Sequence, residues 1–504
     1  MYLEDLGKIA PELVLTAVSL IALVVDLLTK GKDSKRIGWL TLGGLGLTAL
    51  LLMGQWSRLT ESGQAETAFG MVTIDLFGAF FKLFTVGSLA VVTLFVMADK
   101  RERKDDVGEY YFLLLGAAIG IFFMVSTNNL LLLMLGLELL SLASYSLAGF
   151  HKGERRSGEA AMKYVIFGGL SAGIMLYGIS LLYGITGSID LVEMAGSEAL
   201  AASFAKSPVP MAVAVVLILA GFAYKVSVVP FHFWTPDVYE GAPTPVTTFL
   251  AVASKAGGFA VMLRFVGELF RPVGVSETLM AYGDRIGLLL AVLAAVTMTI
   301  GNFSAVRQAS LKRMLAFSSV AHAGYVLMGL AVMTEEGYSA AMFYLAAYYF
   351  MNLGAFGFLL YFEGITGSER VDSLKGMGYK APVISIAMVI FLVSLTGLPP
   401  TVGFIGKVLL IKVVWSANFG PWLLMVLAIN TVVSLFYYFR VAKALFLSAE
   451  AEEEPAPQPA FAGFLAALAL LTVFFGVLPD ALESWADEGS QSLGLVQAAE
   501  PQQQ

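Results

Sequence analysis

Four lysines, Lys163, Lys225, Lys255 and Lys407, and one glutamate, Glu138, stand inside long apolar stretches of this chain. A charge at the centre of a bilayer costs about 2.5–3.5 kcal/mol on insertion scales, so such residues face water or one another and mark ion or proton routes. Burial disfavours the charged form of a carboxyl and of an amine alike, whereas bringing the two together keeps both charged. A lysine that depends on a neighbouring carboxylate for its charge can take up and release a proton as that neighbour moves. Glu138, in the middle of Leu130–Leu142, is the candidate neighbour. Thr248 shares a helical face with Lys255, and Ser318, Ser319 and Tyr325 surround His322 at i, i+3 and i, i+4 spacing. These stripes suit ordered water between lysines, although a lone histidine on an apolar helix also serves as a satisfied core residue. Lys163, near the start of its stretch, either snorkels or joins this polar file. Arg264 and Lys412 read as snorkelling from helix ends. Asp75 and Lys82, seven residues apart, read as a structural ion pair.

The surroundings of these residues are a membrane. The chain has 504 residues, 58% apolar and 14% charged, with mean hydropathy +0.79. A soluble protein of this length needs several domains and far more polar surface, so a soluble enzyme, a disordered scaffold and a nucleic-acid binder are excluded. Absence of cysteine removes disulfides, thiolate metal sites, iron–sulfur ligation and a cysteine nucleophile. The three histidines, His151, His232 and His322, are too few and too scattered to suggest a metal site, and none is assigned. The net charge of -7 is local: nine acids and no Lys or Arg follow Ser448, which leaves +2 for the rest.

Hydropathy predicts an all-α polytopic protein with fourteen spans, at roughly 9–28, 37–54, 73–97, 110–126, 128–148, 160–184, 209–239, 246–268, 286–303, 312–333, 338–362, 382–415, 420–446 and 460–478. Alternate loops hold nineteen Lys and Arg, and the opposite set holds five. By the positive-inside rule the first set is cytoplasmic, which places both termini on the non-cytoplasmic side of the membrane. The expected organisation is three leading helices in 1–107, a first unit in 108–270, a second in 284–447, an acidic Pro-rich cytoplasmic linker at 448–459, a last helix at 460–478 and an acidic polar tail at 479–504.

The two units repeat at an offset near 180. Ala160-Ala161-Met162-x-Tyr164 recurs as Ala340-Ala341-Met342-x-Tyr344, and Gly184-Ile-Thr-Gly-Ser188 as Gly364-Ile-Thr-Gly-Ser368. Gly221-Phe222-x-x-Lys225-Val226 recurs as Gly403-Phe404-x-x-Lys407-Val408. With five spans in each unit, the second inserts upside down, as in transporters built from inverted repeats with sites near the midplane. Spans seven and twelve are too long and carry breaking residues, Pro230 in one and Gly397, Pro399 and Pro400 in the other. Both are read as discontinuous helices, each with a lysine near its break. By the same offset Glu138 aligns with Ser318, Lys163 with Phe343 and Lys255 with Tyr437, so only the Lys225/Lys407 pair survives in both units.

The stretch Lys225-Val-Ser-Val-Val-Pro-Phe-His-Phe-Trp-Thr-Pro-Asp-Val-Tyr-Glu-Gly-Ala-Pro-Thr-Pro-Val246 closely resembles subunit N of respiratory NADH–quinone oxidoreductase, complex I. Its most specific residues are His232, Trp234, Pro236, Asp237 and Glu240. They separate this family from paralogous subunits and from multisubunit sodium/proton antiporters of Mrp type, the alternative reading. A purely structural spacer fits poorly with four intramembrane lysines. The resemblance implies a proton-translocating, non-redox subunit that uses Glu138, Lys225, Lys255 and Lys407. It also implies partners among the other membrane-arm subunits, including antiporter-like paralogues, and the lipid bilayer, with no nucleic acid. NAD, FMN, iron–sulfur clusters and quinone are expected in partner subunits, with no cofactor bound here.

Overall fold

In hydrocarbon every backbone N–H and C=O must be satisfied within the protein, so the long apolar runs become helices. A computed structural model describes residues 2–29, 34–99, 106–195, 200, 202, 204, 206, 208–270, 277–447 and 458–493. Most of the linker at 448–459, the end of the tail, Arg271 and the loop residues Lys30, Lys32, Lys100, Arg101, Arg103 and Lys104 lie outside the described residues. Among the described residues thirteen helices are long and apolar enough to cross a membrane. The leading three are α1 Ala10–Thr29, α2 Ser34–Ser62 and α3 Leu76–Ala98. The first unit comprises α4 Val107–Val125, α5 Leu130–Ala148, α6 Arg155–Thr186, α7 Pro208–Val226, the short α8 Trp234–Gly241 and α9 Thr244–Phe270. The second comprises α10 Glu277–Val306, α11 Leu311–Ala331, α12 Glu335–Thr366, α13 Pro382–Thr396, α14 Val402–Trp415 and α15 Gly420–Phe446, and α16 Pro459–Val477 follows. The twelfth expected span is the pair α13 and α14, of 15 and 14 residues, each too short to span alone.

The repeat holds at the level of single hydrogen bonds. Leu130 N donates to Ile189 O and Leu191 N to Asn128 O, and correspondingly Leu311 N donates to Glu369 O and Val371 N to Ala309 O. The Gly-Ile-Thr-Gly-Ser motifs end α6 and α12 in the same way, with Gly187 at φ 76° and Gly367 at φ 63°, where a side chain would be strained. Both units also bring their first two helices together through glycine. A Cβ on Gly120 would lie 2.6 Å from Gly136 O, and one on Gly324 would lie 2.6 Å from Met298 N.

The breaks fall where proline and glycine place them, but they do not match as the sequence offset pairs them. Lys225 is the last residue but one before the first break, whereas Lys407 is the sixth residue of α14, after the second. The Gly-Phe-x-x-Lys-Val match therefore pairs residues on opposite sides of their breaks. A six-residue motif records local helix packing, whereas the break is set by separate residues that follow it in one unit and precede it in the other.

Two readings of buried charge are corrected. Asp75 pairs with Arg264, 2.8 Å, and Lys82 with Glu12, 2.5 Å, so Asp75 and Lys82 do not pair with each other. Arg264 does not snorkel. It is fully buried, donates to Val125 O and Asn128 Oδ1 as well as Asp75, and lies over the Phe77 ring. Asp75 also caps α3 by accepting from Gly78 N. Seven residues on one helix bring side chains to one face, but a buried charge takes whichever opposite charge the neighbouring helix supplies. Lys412, by contrast, is exposed, on the wall of an 850 Å³ cavity with Asp284, Arg285, Glu336 and Trp422, away from the other intramembrane lysines.

A hairpin and a tail helix are among the elements that the fourteen spans do not include. Glu66–Ala68 and Val72–Ile74 form an antiparallel hairpin. Within the expected polar tail, Asp480–Gln491 forms α17, which docks on the membrane helices. Leu482, Ala486 and Gly489 give it a buried face, Trp485 packs on Trp56 with ring centroids 5.6 Å apart, Ser339 bonds Asp487, and Ser492 Oγ accepts from Phe77 N.

Removing one partner of a buried ion pair costs about 3–5 kcal/mol, because the other charge is left uncompensated. Arg264→Met is therefore expected to lower the yield of assembled protein sharply. Asp75→Asn in the same chain removes the nearer of the two carboxylates that face Arg264, the other being Glu268 at 3.8 Å, keeps the helix cap and should restore part of that yield. Yield and thermal stability in detergent check both outcomes.

Candidate functional site

Lys225, Lys255 and Lys407 are buried at 1%, 2% and 4% exposed and, unlike the equally buried Lys82, have no carboxylate at contact distance among the described residues. Each ammonium rests on neutral oxygens. Lys225, at the end of α7, donates to Ser141 Oγ at 3.2 Å and Tyr164 OH at 3.4 Å. Glu138 precedes Ser141 by three residues on α5, one turn away on the same face, and is half-buried. Its turn of α5 is the one that meets the Lys225 ammonium through Ser141. Lys255 follows a π-helical segment, Leu250–Ser254, in α9 and donates to Ser319 O at 3.1 Å and Ser319 Oγ at 2.7 Å across in α11. Gly258, one turn beyond Lys255, lets the two helices close up: a Cβ there would stand 3.2 Å from Lys225 Cγ.

From Ser319 the polar side chains continue along α11. Ser318 Oγ and Tyr438 OH are 2.5 Å apart, Tyr438 OH and His322 Nε2 are 3.2 Å apart, and His322 Nδ1 lies 2.9 Å from Tyr344 OH. The His322 ring meets Tyr325 edge-on, and the Lys407 ammonium lies 4.6 Å from the centre of the Tyr325 ring. Lys407 donates to Thr431 Oγ1 at 3.1 Å and to Thr396 O at 2.8 Å. Thr396 is the last residue of α13, so its carbonyl is one that a broken helix leaves without an intrahelical donor. Gly397 follows at φ 84°, and a Cβ on it would lie 2.6 Å from Lys407 Cδ, so the break both frees the carbonyl and leaves room for the lysine.

Other expected site residues lie elsewhere. Lys163 is about a third exposed and pairs with Glu159 at 2.8 Å and Asp237 at 2.6 Å. Arg313 joins Asp237 and Glu240 at 2.7 Å each, which makes a charged cluster that ties α8 to both units. Nearby, burial pushes the Glu369 carboxyl above its usual range against the pull of Lys312. The Thr248 hydroxyl returns to Thr244 O, and the wider π segment between Thr248 and Lys255 removes their shared face. Within the motif, Trp234 stacks on Tyr164 at 4.5 Å and donates to Tyr224 O, and Thr235 donates to Ser227 Oγ at 2.6 Å, so these residues hold the first break. His232 is buried in that break, Pro236 is buried in the first turn of α8, and Pro230, Pro399 and Pro400 are exposed.

Sequence reasoning missed Ser141, Tyr164, Thr396, Thr431, Tyr344 and Tyr438. The recurrence of Tyr164 as Tyr344 carried a signal for two of them, since one faces Lys225 and the other His322.

Buried lysines on neutral acceptors beside two broken helices define a cation- or proton-translocating membrane protein of antiporter type. The transmembrane model of the NADH:quinone oxidoreductase/Mrp antiporter family matches residues 127–434. NADH-quinone oxidoreductase subunit N of Chlorobium chlorochromatii is 39% identical, covering 97% of this chain and 96% of that one. A chain of respiratory complex I from Thermus thermophilus superposes with TM-score 0.76 at 32% identity, covering 94% and 98%. A chain of the Mrp complex from Dietzia sp. shares the fold, with TM-score 0.81 at 21% identity, covering 98% of each. This chain belongs to the subunit N family of NADH-quinone oxidoreductases.

If Glu138 sets the charge of Lys225, Glu138→Gln is expected to slow proton-coupled turnover severalfold while assembly on a native gel stays normal. Quinone reductase activity and the proton-to-electron ratio in vesicles check this, and normal values of both would remove the role.

Proposed function

We propose that this chain moves protons across the prokaryotic inner membrane as a membrane-arm subunit of complex I, driven by quinone reduction in partner subunits. Glu138 modulates Lys225, protons pass by way of Lys255 and the Ser318–Ser319–His322–Tyr325 group, and Lys407 is the terminal carrier. NAD, FMN, iron–sulfur clusters and quinone belong to those partners. The two five-span units are inverted repeats, both termini face away from the cytoplasm, and the loops rich in Lys and Arg are cytoplasmic. The observation that carries the reading is the polar run from Lys255 through Ser319, Ser318, Tyr438 and His322 to Tyr325 and Lys407, all buried. Lysine suits the task because a desolvated amine both accepts and releases a proton, and its long stem shifts the head between acceptors. A lysine held by a carboxylate at contact distance is a fixed charge; one held by hydroxyls and carbonyls can lose its proton without leaving an opposite charge buried.

Lys407→Met removes the titrating group at similar length. The expected result is a fully assembled complex that has lost most pumping through this subunit, with quinone reduction slowed alongside. Proton translocation in vesicles, measured beside NADH-driven quinone reduction, checks it. Unchanged pumping at full assembly would make Lys407 structural and end the file at Lys255.

A further inference from the structure

Behind Lys407 lies a second polar group that the file does not use. Asn302 on α10 and Asn430 on α15 are 0% and 1% exposed and meet in the wedge between α10, α11 and α15. Asn302 Nδ2 donates to Asn430 Oδ1 at 3.0 Å and to Tyr325 OH at 3.0 Å, and Asn302 Oδ1 accepts from Tyr437 OH at 2.9 Å. Asn430 Nδ2 donates to Thr299 Oγ1 at 3.1 Å and to Val426 O at 3.0 Å. Both N–H bonds and the oxygen of each carboxamide are thus engaged, which fixes the orientation of both groups. One face of this pair touches Tyr325, the ring on which the Lys407 ammonium rests, and Asn430 adjoins Thr431, which binds that ammonium. The other face touches Tyr437, three residues before Arg440, whose guanidinium donates to Val306 O and Gln308 O at the α10–α11 loop. The adjacent tyrosines divide between the two groups: Tyr438 bonds Ser318 and lies beside His322, whereas Tyr437 bonds Asn302.

A relay group must accept a proton on one side and release another on the far side. A hydroxyl does this by turning. A carboxamide would have to gain a proton on Oδ1 and lose one from Nδ2, passing through its unstable imidic-acid form; Asn302 alone bridges Tyr325 and Tyr437, and Asn430 pins its orientation. We propose that Asn302 and Asn430 form a proton barrier. They fill the wedge beside Lys407 with satisfied hydrogen bonds and stop protons returning from Lys407 to the surface that carries Arg440. The proposal rests on the reading of Lys407 as a carrier, because a barrier has meaning only beside a group that holds mobile protons.

Asn302→Asp tests it by adding a titrating group of nearly the same shape. Vesicles containing the assembled complex are given a pH gradient without NADH, and its decay is followed with a pH-sensitive dye. Decay is expected to be severalfold faster than wild type in Asn302→Asp, unchanged in Asn302→Leu, and slow again when Asn302→Asp is combined with Lys407→Met. A tight Asn302→Asp vesicle overturns the barrier. So does a leak of equal size in Asn302→Leu, which would mean that packing alone made the seal. A leak that survives Lys407→Met overturns it too, because that leak bypasses the file. Asn430→Asp takes the same test where Asn302→Asp does not assemble. Passive decay needs no coupling to quinone reduction, so a failure of the pumping role appears separately, as NADH-driven translocation left intact by Lys407→Met alone.

Discussion

An ammonium buried in a low-dielectric interior must rest on oxygen, and most of this structure follows from that requirement. Continuous helices offer few free oxygens, because their carbonyls are already bonded. The second break supplies one in Thr396 O, and Gly397 leaves room for the Lys407 stem that reaches it. Elsewhere the oxygens come from facing helices: Ser141 and Tyr164 for Lys225, and the hydroxyl and carbonyl of Ser319 for Lys255. Tyrosine recurs here because it brings a hydroxyl on a rigid apolar body and, at Tyr325, a ring face that attracts the cation.

The intramembrane cations fall into two classes by partner. Lys82 sits against Glu12 at contact distance and joins two of the leading helices, and Arg264 sits against Asp75 and holds α3 to the first unit. Lys163 and Arg313 sit against Asp237 at the surface and hold α8 in place. These pairs are mutually locked, since neutralising one member strands the other. Lys225, Lys255 and Lys407 have hydroxyl and carbonyl partners instead. The difference in partner chemistry separates the locked pairs from the lysines on neutral oxygens more sharply than depth or residue type does.

Duplication explains the frame but not the chemistry. Helix ends, bridging hydrogen bonds and glycine crossings recur between units down to single atoms. The polar interiors have diverged: a lysine on serine and tyrosine hydroxyls on one side, a histidine and tyrosine cluster on the other, and breaks placed on opposite sides of their lysines. Helix crossings constrain backbone positions, which any small residue satisfies, so they persist while the side chains in the file change.

Much was legible from the residues alone because membrane insertion is a local property: span positions, both breaks and the placing of Glu138, Lys225, Lys255 and Lys407 within apolar stretches depend on runs of a few to about twenty residues. Charge partners were not legible, because they are chosen between helices far apart in the chain. Arg264 finds Asp75, Lys82 finds Glu12, and Lys255 finds Ser319 through contacts that no spacing rule encodes. The same holds for α17, whose acidic sequence looks like a solvated tail until the membrane helices offer its narrow apolar face a surface. Sequence by itself determined which stretches cross the membrane and so which charges lie within them, since that follows from the hydropathy around each one. Only the tertiary structure decided which oxygen each charge meets, because distance in space, not along the chain, sets an electrostatic interaction.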